Sequence, residues 1–368
     1  MARKSFISNA LYRIFQKLFF VEENKCRDLN NPRKFLIVRQ HNQLGDLLAG
    51  VSVFRAIKEK YPESYLTLVV STSNYQGLVK NRFIDRIFIF NKKKIYNPFY
   101  LIKFLKLLKE NYDVCIVPVT VSISFTSNLI ARLSNAGTRI GPKSLNGESN
   151  NSAFFFDRRV DIDWRKYPDS NVAEISLEII RPFGITTQNY KSEISFDEDD
   201  LKVAKKFIGS FRQEEGNPLI GLHVGAGKPQ NRWSLYKYIA LIGLLRNDYK
   251  ADIYLTGSSG DYEEINFVKG EIPFKLPLFM NMEIPKVAAL ISLSDLFISN
   301  DTGIMHVAGA VPTPQISIFG PTNPFNWAPI GTNKFYIRKS ELIDDITTED
   351  VYNLCTYLLP TAKKELLK

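Results

Sequence analysis

The chain has 368 residues, which at roughly 150 residues per domain predicts two domains with full hydrophobic cores and excludes a small disulfide-stapled module. Hydrophobic residues make up 45% and charged residues 23% of the sequence, a composition that argues against disorder and fibrous architectures. The 48 Lys and Arg against 38 Asp and Glu give a formal charge of +10. This excess favours an anionic partner such as a nucleotide, a phosphorylated glycan, nucleic acid or an acidic membrane surface.

Cysteine and histidine are scarce. The three cysteines, Cys26, Cys115 and Cys355, are far apart and show no C-x-x-C spacing. This pattern is typical of a protein in a reducing compartment. The only histidines are His41, His223 and His306, and no HExxH pattern is present. We therefore expect no metal site. No run of about 20 apolar residues and no secretory signal is found, which predicts a cytoplasmic protein.

The first segment, residues 1–30, is predicted to carry a basic amphipathic helix. Apolar residues between positions 6 and 19 fall on one helical face, and Arg3, Lys4, Arg13 and Lys17 precede the first acidic residue. Two interpretations stay open. The helix lies in a membrane interface with its cations at the headgroups, or it packs on the neighbouring domain.

Residues 31–185 alternate short apolar runs with helical stretches, which predicts a Rossmann-like domain with a parallel sheet covered on both faces. The predicted strands are 35–39, 65–70, 86–90 and 113–119, and the predicted helices are 46–60, 99–109 and 171–181. Residues 137–169 are rich in Gly, Asn, Asp and Pro and are predicted to form loops. Lysines at 92–94, 103, 106 and 109 indicate either a solvated helix face, which we favour, or a surface facing anionic lipid.

After a polar connection over residues 186–200, the alternation resumes and predicts a second Rossmann-like domain over 201–345. The predicted strands are 219–224, 252–256, 276–280, 296–299 and 315–319. The predicted helices are 235–246, 262–268, 285–293 and one that begins at Gly303. Residues 346–368 are predicted to form a C-terminal helix.

The first motif, from Arg39 to Asp46, falls where the first strand ends and a helix begins. Ligands of doubly wound sheets bind at that edge. Gly45 permits a close approach that a side chain would block, and we expect Asp46 to point toward the ligand. The alternative is that Asp46 serves as an ordinary helix cap.

The second motif, Gly225 to Trp233, directly follows the strand that ends at Val224. Its small residues allow backbone N–H groups to approach an anion, and Lys228 and Arg232 can offset the charge of a diphosphate. The GxxxxGK[ST] order of a Walker loop is absent. The alternative is a basic turn, and Trp233 is compatible with a packing role in both cases.

The third motif, Ser299 to His306, again joins a strand to a helix. Backbone donors at Thr302 and Gly303 can hold a phosphate, with His306 one turn further on the same side. The alternative is that Asp301 or Thr302 caps the helix and that His306 is a buried structural residue.

These residues resemble glycosyltransferase family 9, the ADP-heptose:lipopolysaccharide heptosyltransferase family, over about residues 35–331. The resemblance runs through FLIVRQHNQLGDLLAGVSVFRAIKEKYP, GLHVGAGKPQNRWSLYKYIALI, ADIYLTGSSGDYEEI and SDLFISNDTGIMHVAGAVPTPQISIFGPTNPFNW. The last segment is the most specific. The resemblance implies an α/β protein of the GT-B fold, with two Rossmann-like domains whose parallel sheets face a central cleft. It also implies an acceptor mainly on the first domain and a nucleotide-sugar donor mainly on the second.

The resemblance further implies roles for single residues. Asp46 is the expected catalytic base, and Arg39, His41, Asn42 and Gly45 form the expected acceptor loop. The donor diphosphate is expected to contact Lys228, Arg232, Asp301, Thr302, Gly303 and His306. The nucleoside is assigned to Gly225 and Asp261, with Glu263 and Glu264 as alternatives to Asp261.

Two departures from the family pattern affect these assignments. The loop between Arg39 and Gly45 is one residue longer than usual. Asn231 stands where many members carry a lysine two places before the tryptophan, so Lys228 or Arg232 is left to neutralise the phosphates.

The predicted reaction is an inverting, metal-independent transfer of a heptose or related sugar from a nucleotide sugar, with ADP-heptose as the favoured donor. No cofactor is predicted, because the nucleotide sugar is a substrate. The predicted acceptor is an anionic glycolipid or glycan such as a lipopolysaccharide core, with peripheral contact to the inner face of the cytoplasmic membrane. The main alternative keeps the fold and uses another nucleotide sugar in capsule or surface-glycan synthesis. A basic nucleic-acid-binding protein is disfavoured because its motifs are missing, and a dinucleotide oxidoreductase because no GxGxxG follows the first strand.

Overall fold

The computed structural model describes residues 16–40, 43–73, 75–212, 214 and 216–359. They form two compact units. The first comprises the chain up to Tyr75 together with Arg82–Tyr190, and the second comprises Gln76–Asn81 together with the chain from Lys191. Residues 16–19 are helical. Residues 20–30 are described and are not helical, so the helix predicted within residues 1–30 ends at position 19. Residues 1–15 and residues 360–368 of the predicted C-terminal helix lie outside the described residues, and the domain limits drawn from the sequence stay predictions.

The first unit is built on a sheet in the order β3-β2-β1-β4-β5-β6, with β7 also paired to β5. Every pair is parallel except β5 with β6. Phe35 to Val38 are all fully buried, because helices cover both faces of a parallel sheet. The strands are β1 (Lys34–Arg39), β2 (Tyr65–Ser71), β3 (Arg86–Phe90), β4 (Tyr112–Ile116), β5 (Ala136–Leu145), β6 (Glu148–Ser149) and β7 (Arg158–Ile162).

Several helices of the first unit begin at side-chain caps. The Asn97 side chain accepts a hydrogen bond from the Tyr100 N–H where α3 begins, and Ser124 does the same for Ser127 in α4. The predicted helix over 46–60 is two helices that meet at Gly50. The helices are α1 (Leu44–Ala49), α2 (Val51–Lys60), α3 (Pro98–Lys109), α4 (Phe125–Leu133) and α5 (Val172–Ile175).

Two sequence-based predictions in this unit are wrong. Residues 137–169 contain β5, β6 and β7 instead of loops only, because pairing of β5 with the distant strand β4 overrides the local Gly and Pro content. The predicted helix 171–181 is α-helical only over Val172–Ile175. Beyond it, the N–H groups of Leu177 and Glu178 donate to carbonyls three positions earlier, the pattern of tight turns.

The second unit repeats the same plan, with a fully parallel sheet in the order β10-β9-β8-β11-β12-β13. The strands are β8 (Leu219–His223), β9 (Asp252–Gly257), β10 (Leu278–Met280), β11 (Leu296–Asn300), β12 (Gln315–Ile318) and β13 (Lys334–Ile337). The helices are α6 (Glu198–Gly209), α7 (Leu235–Tyr249), α8 (Tyr262–Glu271), α9 (Ile284–Ser292), α10 (Gly303–Gly309), α11 (Pro324–Trp327) and α12 (Thr348–Leu358).

Three elements of this unit were not predicted: α6, β13 and the short helix α11. Helix α6 begins inside the stretch taken as a polar connection, and a capping box formed by Asp197 and Asp200 starts it. Strand β13 completes the sheet edge beside β12. Over the described residues of both units, eight short 3₁₀ segments also occur: Tyr75–Gly77, Lys92–Lys94, Ala153–Phe155, Trp164–Lys166, Arg181–Phe183, Pro229–Asn231, Ser259–Asp261 and Ile343–Asp345.

The strand order places one ligand-binding position in each unit. In the first sheet the order reverses between β1 and β4, and in the second between β8 and β11. Open α/β sheets bind ligands outside the carboxyl ends of the strands at such a reversal. The three sequence motifs follow β1, β8 and β11, so each lies at one of these positions. Over the described ranges, no helix combines the length and apolar character needed to cross a bilayer.

Candidate active site

Asp46 lies in the first turn of α1, directly beyond the end of β1, and its side chain is almost fully buried at 1% exposure. The interpretation of Asp46 as the helix cap is wrong, because Gln43 occupies the cap position and makes no side-chain capping bond. The neighbouring Gly45 is also buried. His41 and Asn42 lie outside the described residues, so their predicted part in the acceptor loop stays a prediction.

Arg39 and Thr120 surround Asp46. The Arg39 Nη2 donates to the Asp46 backbone oxygen at 2.7 Å and to the Thr120 Oγ1 at 3.1 Å. The Thr120 hydroxyl in turn donates to the Asp46 Oδ1 at 3.4 Å. Burial lowers the pKa of the Arg39 guanidinium, and the nearby charge of Asp46 acts in the opposite direction. The buried Arg39 cation therefore fixes the backbone of Asp46 and the Thr120 hydroxyl that bonds to its carboxylate.

Thr120 is a site residue that the sequence analysis missed. It follows β4, the strand beside β1 at the reversal of strand order, and the Trp164 Nε1 donates to its backbone oxygen at 2.7 Å. Its place in the sequence, after the predicted strand that became β4, could have marked it as a site residue, because ligands bind beyond the carboxyl ends of the strands at the reversal. Residues after β4 carried no charged group, which is why the sequence did not single them out.

In the second unit, Asn300 fixes the loop that follows β8. Its Nδ2 donates to the backbone oxygens of Val224 and Gly225, and its Oδ1 accepts from the Trp233 N–H and the Tyr238 hydroxyl. The side chain is fully buried at the end of β11. One amide thus ties the beginning and end of the second motif to the strand that carries the third.

Gly225 and Asp261, both assigned to the nucleoside, lie against each other. A Cβ atom at position 225 would be 2.0 Å from the Asp261 Oδ1, so only glycine leaves room for this carboxylate. The Asp261 Oδ2 accepts from the Ser258 N–H at 2.7 Å and from the Ser258 hydroxyl at 2.8 Å. The carboxylate is therefore oriented before any ligand arrives.

His223 closes this corner behind Asp261. Its Nδ1 lies 3.0 Å from the Thr256 backbone oxygen, and its Nε2 lies 3.9 Å from the Asp261 Oδ1. Burial lowers the pKa of His223, while the nearby Asp261 raises it. The histidine supports the wall beneath Asp261 from the end of β8.

The two predicted phosphate-neutralising cations differ in their surroundings. The Arg232 Nη1 lies 2.6 Å from the Oε1 of Glu264, whose side chain is only 7% exposed. Lys228, in contrast, is exposed, and among the residues that the structure describes it forms no ion pair. Because Glu264 already neutralises Arg232, Lys228 is the cation better able to offset a ligand's charge.

Asp301 is turned toward neighbouring side chains of its own unit. Its Oδ2 accepts from the Asn231 Nδ2 at 2.9 Å, and it is also hydrogen-bonded by the Thr322 side chain. Burial raises the pKa of Asp301, while the Thr322 hydrogen bond and the charge of Lys228 lower it. Asn231, at the position where the family often carries lysine, therefore bonds to a carboxylate.

Thr302, Gly303 and His306 begin helix α10. Thr302 occupies the cap position and makes no side-chain capping bond, so its side chain satisfies none of the first N–H groups of the helix. Burial lowers the pKa of His306 to about 4, which makes the ring neutral near pH 7. A neutral imidazole offers a ligand one N–H donor without a positive charge.

The second unit thus brings together the residues of the second and third motifs, and it places Asp261, which follows β9, against Gly225. Sequence reasoning missed the organising role of Asn300 and the pairing of Asn231 with Asp301 and of Arg232 with Glu264. Within the described part of the chain, no group of three or more His, Cys, Asp or Glu side chains is placed to hold a metal ion. The roles predicted for the individual residues stay predictions.

The model of glycosyltransferase family 9, described as the heptosyltransferase family, matches residues 101–351, well over half of the chain. The chain belongs to glycosyltransferase family 9. The resemblance noted in the sequence is confirmed, and the protein is a glycosyltransferase.

Relatives of this glycosyltransferase cover most of its length. Lipopolysaccharide heptosyltransferase 3 from Escherichia coli is 27% identical over 310 residues, which span 78% of this chain and 84% of the relative. A family 9 glycosyltransferase structure from Veillonella parvula has a TM-score of 0.77 at 18% identity and covers 92% of this chain and 99% of its own. The structure of the E. coli ADP-heptose lipopolysaccharide heptosyltransferase II has a TM-score of 0.72 at 19% identity, with 88% and 98% covered. The predicted GT-B fold is confirmed.

Proposed function

We propose that this glycosyltransferase moves a heptose from ADP-heptose to a lipopolysaccharide core or a related surface glycan. The relative from Escherichia coli reported above is a lipopolysaccharide heptosyltransferase, and the name of a structural neighbour includes ADP-heptose. The nucleoside is assigned to the corner formed by Gly225 and Asp261, whose preset carboxylate can accept hydrogen bonds from ribose hydroxyls. Binding of the nucleoside at this corner is part of the proposal.

Asp46 is the proposed general base. The observation that carries this assignment is its burial at the carboxyl edge of β1, where Arg39 and Thr120 fix its position. The carboxylate takes a proton from the acceptor hydroxyl while that oxygen attacks the anomeric carbon and the bond to the diphosphate breaks. Attack opposite the leaving group inverts the anomeric configuration. General-base assistance of this kind contributes typically about 10²–10⁴-fold to the rate.

The leaving ADP gains negative charge as the bond breaks. We assign the stabilisation of this negative charge to three groups. They are the exposed Lys228, the uncapped N–H groups at Thr302 and Gly303, and the N–H of the uncharged His306 ring. Arg232 contributes less, because Glu264 already pairs with it. Asp301 orients Asn231 by accepting a hydrogen bond from its side-chain amide. The direct contact of Asp301 with the diphosphate, which the family resemblance implies, stays a prediction. These groups would make the transfer independent of a metal ion.

Replacement of Asp46 by Asn tests the base assignment, because asparagine retains the size and loses the basicity. We expect turnover to fall by about 10²–10⁴-fold while the dissociation constant for ADP stays within twofold of wild type. Product formation is followed by mass spectrometry with purified core acceptor, with and without EDTA, and NMR of the product reports the anomeric configuration. Near wild-type turnover of the variant would rule Asp46 out as the base, and loss of all activity in EDTA would rule out metal independence.

The donor is tested by thermal unfolding with ADP-, UDP- and GDP-sugars at equal concentration. A ligand at 100 times its dissociation constant stabilises the folded state by about 2.7 kcal/mol. We expect the largest shift with ADP-heptose. A larger shift with a UDP- or GDP-sugar would favour a same-fold transferase of capsule or other surface-glycan synthesis.

We further propose that the enzyme works in the cytoplasm at the inner face of the cytoplasmic membrane. The formal charge of +10 favours a polyanionic glycolipid acceptor at that surface. Fractionation of cells into soluble and membrane pools, followed by a wash at high salt, tests this. Recovery of the protein outside the cytoplasmic membrane would contradict the location.

A further inference from the structure

Helix α3 exposes apolar side chains on the face opposite to its core contacts. Phe104, Leu107 and Leu108 are buried against the first unit. One half-turn around the helix, Phe99 is 77% exposed and Ile102 is 50% exposed. We call the outward-facing apolar residues of this segment the α3 face: Tyr96, Phe99, Ile102 and Leu105. Tyr96, just before the helix, is 92% exposed.

The exposure does not come from a loosely packed helix. The Tyr100 hydroxyl donates to the Ile89 backbone oxygen at 3.0 Å and accepts from the Asn91 N–H at 2.7 Å. The Phe104 ring packs on Phe90 with 4.8 Å between centroids. These contacts fix the inner side of α3 on β3, so the orientation that exposes the α3 face is determined by the core.

An exposed helix normally carries polar side chains on its outer face. Scattered single apolar residues on a surface need no explanation, but a cluster at successive turns of one helix marks an interaction surface. The α3 face is such a cluster, with Phe99 and Ile102 one turn apart and Tyr96 one turn before them.

The chain around the α3 face is strongly basic. Residues 91–109 contain no Asp or Glu, and their six lysines are all exposed: Lys92, Lys93, Lys94, Lys103, Lys106 and Lys109. Over the described ranges, none of these six forms an ion pair. Glu110, the next acidic residue, is occupied by Arg86 at 2.7 Å. The positive charge of this surface is therefore available to an external partner.

We propose that the α3 face docks on a lipid bilayer that contains anionic lipids. Aromatic and aliphatic side chains would enter the boundary between headgroups and acyl chains, and the surrounding lysines would contact anionic headgroups. The charge argues for lipid over a protein partner, because six unpaired cations around an apolar centre match a surface that is uniformly anionic above an apolar interior. The inference rests on the proposed function insofar as a lipid-linked acceptor lies at such a surface.

Sedimentation of the full chain with large unilamellar vesicles tests the proposal. We expect binding to vesicles of 70% phosphatidylcholine and 30% phosphatidylglycerol, with at least tenfold weaker binding to phosphatidylcholine alone or in 0.5 M salt. Each basic residue near an anionic surface contributes roughly a factor of five to partitioning. The variant Lys103→Glu/Lys106→Glu and the variant Phe99→Ser/Ile102→Ser should each bind anionic vesicles at least tenfold more weakly than wild type.

Matched variants elsewhere control for charge and exposure. Lys205→Glu/Lys206→Glu makes the same charge change on exposed positions of α6, and Leu342→Ser/Tyr357→Ser removes two other exposed apolar side chains. We expect both controls to bind anionic vesicles within threefold of wild type. Circular dichroism melts verify that all four proteins remain folded, since every substituted residue is exposed.

Three results would overturn the proposal. The first is vesicle binding by the α3 variants equal to that of the controls. The second is equal, salt-independent binding to neutral and anionic vesicles. The third is loss of concentration-dependent self-association, measured by sedimentation velocity, with vesicle binding intact, because it would identify the α3 face as a protein interface.

A parallel assay separates this proposal from the proposed function. Transfer from ADP-heptose to a deacylated, water-soluble core acceptor needs no membrane, so the α3 variants should keep wild-type turnover in it. If wild type transfers no sugar to this acceptor while vesicle binding follows the expected pattern, the proposed function fails and the docking surface stands. If transfer proceeds and the α3 variants bind vesicles normally, the docking surface fails alone.

Discussion

Replacement of Gly225 by alanine tests whether the corner beside Asp261 binds the nucleotide. The added Cβ would lie 2.0 Å from the Asp261 Oδ1 and 2.7 Å from its Cγ. The backbone at position 225 cannot easily retreat, because Asn300 donates to the Gly225 carbonyl oxygen at 3.1 Å. We therefore expect the Asp261 side chain to move.

The size of the effect follows from these distances. Raising the closest approach from 2.0 Å to the 3.4 Å of ordinary van der Waals contact moves the carboxylate by about 1.4 Å. A shift of this size breaks at least one of its two hydrogen bonds from Ser258, at 2.7 Å and 2.8 Å. Hydrogen bonds to charged groups contribute about 1.5–3 kcal/mol. We expect a similar loss in binding a ribose, which is about 10–100-fold in the dissociation constant for ADP.

Isothermal titration calorimetry with ADP measures the effect, and Gly243→Ala, in α7 and outside the three motifs, provides the control. A Cβ built at position 243 meets nothing within 4 Å, so this variant should bind ADP within twofold of wild type. Asp261→Asn should weaken ADP as much as Gly225→Ala does. Wild-type affinity in Gly225→Ala, with the fold intact, would refute the assignment of this corner to the nucleoside.

Three further predictions concern the other site residues. Thr120→Val removes the hydroxyl between Arg39 and Asp46, and we expect kcat to fall about tenfold with an unchanged KM for the donor, measured by the product assay; an unchanged kcat would contradict a positioning role. Arg232→Ala leaves the carboxylate of Glu264 buried without its partner and should lower the free energy of unfolding in urea by about 2 kcal/mol, a value reduced for the partial exposure of the arginine; wild-type stability would show that the pair contributes nothing. The pKa of His306 in the folded protein, about 4, lies below its ordinary value of 6.5, so the unfolded chain binds more protons between these values and stability falls as the pH is lowered through that window. His306→Gln should reduce the loss between pH 7 and pH 4.5 by about 2–3 kcal/mol in urea titrations at the two pH values, and an identical loss in both proteins would contradict the burial argument.

The sequence predicted both sheets and the positions of the three motifs because these depend on local patterns. Short apolar runs spaced by helical stretches were enough to identify β1, β2 and β3 and the corresponding strands of the second unit. Motifs that follow a strand must lie at the carboxyl edge of the sheet, whatever the remaining fold. Helix α6 was missed although its capping box is a local signal, because its charged first turn resembles a polar linker.

Other features depended on residues far apart in the chain. Residues 137–169 form strands because β5 finds a place beside β4, which no local property of a Gly- and Pro-containing segment reveals. The basic loop supplied two candidate cations, and only the contact of Arg232 with Glu264 distinguished them. In the same way, the Asn231 amide could be interpreted only once Asp301, 70 positions later, was found 2.9 Å away.

The sequence by itself determined the class of fold, the family and the chemical types gathered at each strand end, since periodicity and motif spacing are properties of neighbouring residues. The tertiary structure decided which charges are already neutralised, which carboxylates are oriented in advance and which face of α3 is exposed. Those properties depend on the partner that each side chain meets after folding. The order of strands in the sheet brings together segments that are tens of residues apart and so determines these partners. The local sequence does not specify that order.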